Sequence, residues 1–299
     1  MNFEFDDVIF VGGTGRSGTT IMGKLISRHS HVALAKPVEI KFLTGGTGLL
    51  DLYRNPWISR AGKLNLVANG NLSKFKNSIE QKWWDRQSKD GSRSGLHRGI
   101  ERALWDALVV QLEQDLQQDR LSACRRFMRN FIDLQKLTSG ASRWIDTTPT
   151  NLIRRKEIAY LLPGARFIHV IRDGRDVASS IVHEKWGPNN PTEGLRWWRS
   201  RLRMIINQCQ PKDSRLLHIW LEDLVEDNRD ESFQKVMDFL CLQSENRINR
   251  YFLEKVTPDR LHRNRWVNEV KDSIKFNMQY EKIFYELIKK GLPSPTKKF

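Results

Sequence analysis

Residues 10–29 of the chain, FVGGTGRSGTTIMGKLISRH, combine glycines with hydroxyl-bearing and cationic side chains. They overlap a fully apolar run, VIFV at 8–11, which predicts a buried strand. A strand that turns through glycines into a helix directs several backbone N–H groups and the positive end of the helix dipole toward one point. Arg16 adds a permanently charged planar guanidinium, and Thr19 and Thr20 add hydroxyl donors. The stretch therefore predicts a site for a phosphate-like anion.

The spacing of this loop is close to that of a nucleoside-triphosphate loop, but one residue type differs. Gly13 and Gly18 have the separation found in GxxxxGK[ST], whereas Thr19 stands where that pattern has lysine. That lysine reaches the β- and γ-phosphates of ATP or GTP, so its absence weakens the case for hydrolysis of either nucleotide. The loop favours a different phosphate-bearing ligand over a bare glycine-rich turn.

A second candidate anion site lies in the stretch FIHVIRDGRDVASSIVHEKW, where an apolar strand is followed by a helical pattern. Arg172 ends the strand, and ligands of α/β proteins bind in the crevice at the carboxyl ends of parallel strands. Ser180 follows eight positions later, about two helical turns on. A surface charge cluster that caps the helix is the competing interpretation for Asp173, Arg175 and Asp176.

Together the two stretches resemble sulfotransferases that use 3′-phosphoadenosine 5′-phosphosulfate (PAPS). GTGRSGTT resembles their phosphosulfate loop, in the RSGTT form of protein-tyrosine sulfotransferases and their bacterial relatives, and RDGRDVASS matches the family's RDGR…S pattern. The resemblance implies a P-loop, kinase-like fold, PAPS as donor and PAP as product. It implies that the 3′-phosphate binds Arg172 and Ser180. It implies that the 5′-phosphosulfate binds the loop residues Gly15, Arg16, Ser17, Gly18, Thr19 and Thr20.

Transfer of a sulfuryl group to a hydroxyl needs a base for the proton that leaves the acceptor. In the branch that this chain resembles, the base is a glutamate shortly after the first helix, which implies Glu39 in ALAKPVEIKFL. Lys36 and Lys41 are near enough in sequence to keep that carboxylate ionised. His29 and His31 are the alternatives, although a histidine at a helix end is more often a cap or packing residue.

The transfer also needs positive charge where the bridging oxygen of PAPS becomes negative. Arg16 and the loop amides are expected to supply it, so no metal is expected. WIDTTPTNL at 144–152 resembles the family's KTP or KDP segment, with Thr147 in place of the lysine that helps to stabilise the transition state. Either Thr147 only forms a hydrogen bond, or the lysine is replaced by one of Lys36, Lys41, Arg154 and Arg155.

Two further stretches resemble the family more weakly. HRNRWVNEV, near the C-terminus, is similar to a segment whose basic and aromatic residues close over the nucleotide, which implies contacts from Arg265 and Trp266. IWLEDLVEDNRDESFQKVMDFLCL resembles an EDL…FL strand and helix, in which Glu222 and Asp223 are expected to be structural. The resemblance covers roughly residues 8–42, 143–186 and 216–270.

Strands and helices alternate along much of the chain. RWID (143–146), RFIHVIRD (166–173) and LLHIWLEDL (216–224) read as strands, and a helix is expected from Asn151 to Leu162. Such alternation predicts an α/β fold of three layers with a central parallel sheet. We expect one domain over 1–299, in which a helical insertion of about 50–140 forms an acceptor-side lid and 80–99 a mobile loop.

The acceptor itself is not specified by the sequence, which leaves carbohydrate, peptide, lipid and small-molecule hydroxyls, or an amine, open. Tryptophans in the segments without family resemblance are candidates to line its site, namely Trp57, Trp83, Trp84, Trp105, Trp197 and Trp198. Most tryptophans, however, pack in cores or at their rims.

The composition bounds the partners and the compartment. Fifty Lys and Arg against 35 Asp and Glu give a net charge of +15, which favours anionic ligands. Three distant cysteines, an acidic start without a secretory signal and no long apolar run predict a soluble cytoplasmic protein. Two other hypotheses were a divergent P-loop kinase or NTPase, and a nucleic-acid binder, which the scattered basic residues disfavour.

Overall fold

The computed structural model describes residues 5–53, 68–87, 91, 93–209, 213–261 and 263–297. Seven strands are present in the described part of the chain: β1 (Val8–Gly13), β2 (Val32–Leu34), β3 (Arg86–Gln87), β4 (Arg93–Ser94), β5 (Arg143–Asp146), β6 (Arg166–Ile171) and β7 (Leu216–Trp220). Five form a central parallel sheet in the order β2-β5-β1-β6-β7, and β3 and β4 form a short antiparallel hairpin. The expected α/β fold class is therefore confirmed.

Helices precede and follow the strands along the described part of the chain. They are α1 (Thr19–Ile26), α2 (Lys41–Thr44), α3 (Leu49–Tyr53), α4 (Ala68–Ser78), α5 (Arg102–Asp115), α6 (Arg120–Leu137), α7 (Arg155–Leu161), α8 (Gly174–Ile181), α9 (Pro191–Ile206), α10 (Arg229–Leu240), α11 (Asn246–Lys255), α12 (Trp266–Glu269) and α13 (Ser273–Lys289). The strands next to the loops of interest are apolar and buried: every residue of β1 is buried, as are five of the six in β6. This pattern is typical of parallel strands that are covered on both faces.

The described residues divide into two compact units, and the division falls within β1. The first unit comprises Met1–Ile9, His31–Thr148 and Lys156–Ala165. Its core contains a cluster of edge-to-face aromatic rings on α2, α4, α5 and α6: Phe42, Phe75, Trp105, Phe127 and Phe131. Such contacts add about 0.5–1.5 kcal/mol per ring pair beyond the burial of apolar area.

The second unit comprises Phe10–Ser30, Pro149–Arg155 and Arg166–Phe299, and it contains both predicted anion-binding stretches. Phe10 stacks on Phe167, with ring centroids 5.6 Å apart. Helix α9 begins with Pro191 after an Asn190 cap, whose side chain accepts a hydrogen bond from the backbone of α9. The expectation of a single domain over the whole chain stays a prediction.

Several sequence-based boundaries were wrong. Strand β2 was not predicted, because three apolar residues are too few to show a period. The helix expected from Asn151 begins only at Arg155, after a 3₁₀ turn at Pro149–Leu152. The strand expected over 216–224 ends at Trp220 and gives way to a π-helical turn.

The range 50–140 is helical over most of its described part, as α4, α5 and α6 show. The section expected to be a mobile loop, 80–99, contains the end of a π-helical turn (Ile79–Trp83) and the hairpin of β3 and β4. Residues 88–90 and 92 of that section lie outside the described residues. The role of the insertion as a lid stays a prediction.

Candidate active site

The glycine-rich loop joins β1 to α1 through three residues with left-handed backbone angles. The φ angle is +85° at Gly15, +57° at Arg16 and +94° at Gly18. Arg16 is not a glycine, and the left-handed region costs such a residue about 1–2 kcal/mol. Gly18 precedes α1 without a side-chain cap, so the N–H groups of the first turn remain open to a ligand. The loop thus holds a strained arginine beside an open helix N-terminus.

Gly13 and Gly18 occupy positions where a side chain would clash. A Cβ on Gly13 would overlap Ser17 Oγ and lie 2.5 Å from the carbonyl oxygen of Val170 on β6. A Cβ on Gly18 would lie 2.8 Å from both methyl groups of Leu221, the residue after β7. The absence of side chains therefore lets the loop lie directly against the ends of β6 and β7.

Arg16 connects the two anion-binding stretches. Its Nε donates a hydrogen bond to Ser180 Oγ at 2.9 Å, and its Nη1 lies 3.4 Å from Glu184 Oε1. Its carbonyl oxygen accepts a hydrogen bond from Arg172 Nη1 at 3.1 Å. Three residues predicted from two separate motifs, Arg16, Arg172 and Ser180, therefore lie together.

Two buried donor groups in this cluster have no hydrogen-bond partner among the described residues. They are Ser17 Oγ and Arg172 Nε. The other nitrogens of Arg172 are occupied, because Nη2 donates to the carbonyl oxygen of Leu261 at 2.6 Å. Buried polar atoms normally find a partner, so unpaired donors at an anion-binding loop fit a ligand that supplies acceptor oxygens.

The remaining loop residues also lie within the second unit. Thr19 is buried and Thr20 half-buried, at the first two positions of α1. Gly15 is buried beside two tryptophans, since a Cβ there would be 3.6 Å from a ring carbon of Trp197 and 3.9 Å from one of Trp186. A cationic fork, two hydroxyl groups and an open helix N-terminus can together bind a doubly or triply charged anion.

The charged residues after Arg172 are buried and do not form a surface cluster. Asp173 caps α8 by accepting the backbone N–H of Arg175, and its carboxylate also pairs with the Arg175 guanidinium. That guanidinium lies 4.8 Å from the ring centroid of Trp266 and 4.4 Å from that of Tyr280. The competing interpretation was thus right about the helix cap and wrong about the exposure.

Two carboxyl groups in this cluster have raised pKa values. Burial, followed by the charge of Asp173, raises the pKa of Glu222 to about 8. The same two causes raise the pKa of Asp176 to about 6. Glu222 Oε1 accepts the backbone N–H of Asp173 at 2.9 Å, and Asp176 Oδ2 accepts that of Asn264 at 3.2 Å. Glu222 is therefore largely protonated at neutral pH and supports the turn that carries Arg172.

Glu39, the predicted base, belongs to the first unit. Its Oε2 lies 3.2 Å from Lys41 Nζ, and Arg86 on β3 interacts with it electrostatically. Lys36 is close in sequence, but its backbone N–H and carbonyl group are bound by the side chain of Gln135. The carboxylate of Glu39 thus has a cationic environment within its own unit.

The segment that carries Glu39 is held by hydrogen bonds to Asp146 and Thr147, which lie in the stretch that resembles the family's KTP motif. Thr147 Oγ1 donates to the carbonyl oxygen of Val38 at 2.7 Å, and Asp146 Oδ1 accepts the backbone N–H of Ile40 at 3.0 Å. Of the two explanations offered for Thr147, the hydrogen-bonding one agrees with this contact. Arg155 forms a buried ion pair with Asp213, which argues against it as a replacement for the lysine.

Arg265 precedes α12, and its Nε pairs with Glu269 one helical turn on. The neighbouring Trp266 is buried against Arg175. The predicted nucleotide contact of Arg265 stays a prediction. His29 is bound to the carbonyl oxygen of Gln243 at 3.0 Å, which agrees with a packing role.

The tryptophans proposed for the acceptor side divide into several groups. Buried are Trp83, Trp105 and Trp198, and half-buried are Trp84 and Trp197. Trp57 lies outside the described residues. Only Trp197 of this set is found beside the glycine-rich loop among the residues described.

Three residues at or near the predicted site were missed by the sequence interpretation. Glu184 lies four positions after Ser180, and Trp186 lies six positions after it. The spacing of four is about one helical turn, which could have indicated that Glu184 lies on the same face as Ser180. Asp146 gave no signal, because its contact with residue 40 depends on the fold.

In the described part of the chain, no group of three or more His, Cys, Asp and Glu side chains is arranged to hold a metal ion. None of the helices in that part of the chain is long and apolar enough to cross a membrane.

Known proteins resemble the chain in sequence and in fold. A putative protein-tyrosine sulfotransferase of Caenorhabditis briggsae is 23% identical over 282 residues, which cover 92% of this chain and 80% of that protein. Protein-tyrosine sulfotransferase A of Caenorhabditis elegans is 20% identical over 247 residues, 80% of this chain and 51% of the relative. The sulfotransferase domain of the Synechococcus PCC 7002 olefin synthase has a similar fold, with a TM-score of 0.54, 17% identity and 98% coverage of both chains.

The model of the sulfotransferase family matches residues 68–246, more than half of the 299 residues. This match and the similarity of fold confirm the predicted family and disfavour both the kinase and the nucleic-acid-binding hypotheses. The chain belongs to the sulfotransferase family and is an enzyme of that class.

Proposed function

We propose that this sulfotransferase takes its sulfuryl group from PAPS and transfers it to an acceptor hydroxyl. The 5′-phosphosulfate lies against Gly15–Thr20, and the 3′-phosphate lies against Arg172 and Ser180. The observation that carries this proposal is the 2.9 Å hydrogen bond between Arg16 Nε and Ser180 Oγ, because it joins two motifs 164 residues apart into one cationic cluster.

Binding of the nucleotide requires Arg16 to exchange partners. Its guanidinium contacts Ser180 and Glu184. The oxygens of PAPS are stronger acceptors than a serine hydroxyl, because they carry charge. The Ser180 hydroxyl only accepts from Arg16, so its own O–H can donate to the 3′-phosphate, and Ser17 Oγ and Arg172 Nε gain the partners that they lack.

In the transfer step, the acceptor oxygen forms a bond to sulfur while the bond between sulfur and the bridging phosphate oxygen breaks. The acceptor proton passes to a base, and the negative charge that develops on the bridging oxygen is stabilised by Arg16 and the N–H groups at the start of α1. These donors supply the charge that a metal would otherwise provide, so we expect transfer to proceed in the presence of a chelator.

Glu39 is the proposed base. Its half-buried carboxylate, with Oε2 3.2 Å from Lys41 Nζ, supports this role by its geometry. We expect Glu39→Gln to lower kcat by at least about 100-fold, the usual contribution of a general base, and to leave the dissociation constant of PAP unchanged.

The acceptor is proposed to be a tyrosine hydroxyl of a peptide or protein, since both worm relatives are named protein-tyrosine sulfotransferases. A cytoplasmic site of action is proposed from the three cysteines, which lie far apart in the sequence without a CxxC spacing.

Calorimetric titration with PAP tests the proposed donor site. Arg16→Ala and Arg172→Ala each remove charged hydrogen bonds worth about 1.5–3 kcal/mol, so the dissociation constant should rise by about 10- to 100-fold. Arg250→Ala removes an exposed arginine from α11 and serves as the charge-matched control. Equal affinity of PAP for all four proteins, or tighter binding of Mg-ATP than of PAP, would refute the proposal.

A further inference from the structure

We propose that Trp186 and Trp197 form an aromatic wall that receives the phenol ring of the acceptor. The shared chemistry is a planar ring with a hydroxyl group, whether it is a tyrosine side chain or a free small phenol. The inference rests on the proposed function, because it places the acceptor beside the loop that is proposed to hold the phosphosulfate.

The aromatic wall is defined by its distance from the loop. The Cη2 atoms of Trp197 and Trp186 lie 3.6 and 3.9 Å from the position that a Cβ on Gly15 would take. The two ring centroids are 6.2 Å apart and the ring planes are inclined at 48°. One edge of each indole ring therefore faces Gly15. This residue directly precedes Arg16, beside which the sulfuryl group is proposed to lie.

The fold leaves the first of these rings mostly in water. Trp186 is 61% exposed and Trp197 is half-buried, whereas Trp198, which follows Trp197 in α9, is fully buried against Tyr280. Leaving a large apolar side chain in water forgoes roughly 1.5–3 kcal/mol of burial energy. A ligand that covers Trp186 would recover part of this energy, which gives the aromatic wall a reason to bind an apolar ring.

The residues around the aromatic wall suit an acceptor that carries a hydroxyl group. Glu184 lies beside Arg16 at this edge, and its carboxylate can accept a hydrogen bond from a hydroxyl group. The Arg201 guanidinium is 5.4 Å from the ring centroid of Trp197, so Trp186 offers the more open surface. Rings inclined to one another suit edge-to-face and offset contacts with a third aromatic ring, whereas a sugar needs one flat face.

The test compares Trp186→Ala and Trp186→Phe with Tyr285→Ala, an equally exposed aromatic residue on α13. Calorimetry measures the binding of PAP, and the binding of 4-nitrophenol with and without PAP. Initial rates give KM for 4-nitrophenol, for a tyrosine-containing peptide and for a sugar acceptor. We expect Trp186→Ala to weaken phenol binding and raise the phenol KM about tenfold, with Trp186→Phe within about threefold of the parent.

The outcomes separate this inference from the proposed function. Phenol binding that is unchanged in Trp186→Ala, or a loss of PAP affinity in that variant alone, would overturn the aromatic wall as an acceptor site. Sulfation of the sugar acceptor, with no binding of 4-nitrophenol or of the tyrosine-containing peptide, would overturn it as well. If PAP does not bind at all, the proposed function fails, yet phenol binding without PAP still tests the aromatic wall. Activity with the peptide but not with 4-nitrophenol identifies the tyrosine side chain as the source of the ring.

Discussion

At the scale of single residues, Arg16 combines an unusual backbone angle with contacts to three residues of the second predicted anion site. It accepts a left-handed backbone angle, donates to Ser180, pairs with Glu184 and holds Arg172 through its carbonyl oxygen. Strain of this kind persists only where the surroundings enforce it, and it is frequent at functional sites. Glu184 occupies the guanidinium that is proposed to bind the donor, so the two compete for the same group.

Glu184→Gln should therefore tighten PAP binding. The substitution removes a carboxylate that occupies Arg16 and that repels the phosphates of the nucleotide. A partly exposed ion pair is worth about 0–1 kcal/mol, so the dissociation constant should fall by up to about fivefold at low salt. Calorimetry with Glu254→Gln, an exposed carboxylate on α11, as the control checks this. Unchanged or weaker binding would show that Glu184 does not compete with the donor.

At the scale of elements, the turn from β6 into α8 is supported by the residues that follow β7. The register pairs Ile171 with Trp220, and Glu222 beyond it accepts the backbone N–H of Asp173. Because the pKa of Glu222 is raised, the folded state retains a proton that the unfolded state has lost at neutral pH. This contribution to stability is full below the ordinary pKa of 4.5 and is lost as the pH rises toward about 8.

Glu222→Gln should remove this dependence, since an amide keeps the hydrogen bond and cannot ionise. Relative to the parent, its free energy of unfolding should increase between pH 4.5 and about 8, by at most about 1.4 kcal/mol per pH unit. Urea denaturation of both proteins at four pH values measures the difference. A difference that does not change with pH would mean that Glu222 is ionised in the folded state.

The elements also show what the sequence can and cannot reveal. β1 and β6 were predictable because each is an apolar run, which ends in glycines for β1 and before Arg172 for β6. The resemblance then pointed to Arg172 and Ser180 by the family's spacing, and the structure places both beside Arg16. β2 was not predictable, since three residues are too few to show the alternation of a strand. Trp186 was missed because it lies near Gly15 only in the folded chain, 171 positions later in the sequence, and no local pattern shows that proximity.

At the scale of the whole molecule, the net charge of +15 agrees with an anionic donor. Such a charge raises the local concentration of anions and accelerates their association, and dissolved salt screens both effects. Many arginines are already paired within their own units, for example Arg129 with Asp7 and Arg199 with Glu286. The surplus of positive charge therefore acts as a general electrostatic field, and the glycine-rich loop and Arg172 add specific contacts to it.

The distinction between this general field and the specific contacts predicts how the affinity for PAP responds to salt. In the parent protein, the dissociation constant of PAP should rise several-fold between about 50 and 300 mM NaCl, because the Debye length falls below about 10 Å. Adenosine, which lacks both phosphates, should show little change and is the matched control ligand. In Arg172→Ala the slope against the logarithm of salt concentration should be shallower than in the parent, since one phosphate contact is lost, while Arg250→Ala should keep the parental slope. Parallel slopes for Arg172→Ala and the parent would mean that the 3′-phosphate is held by the general field and that Arg172 does not contact it.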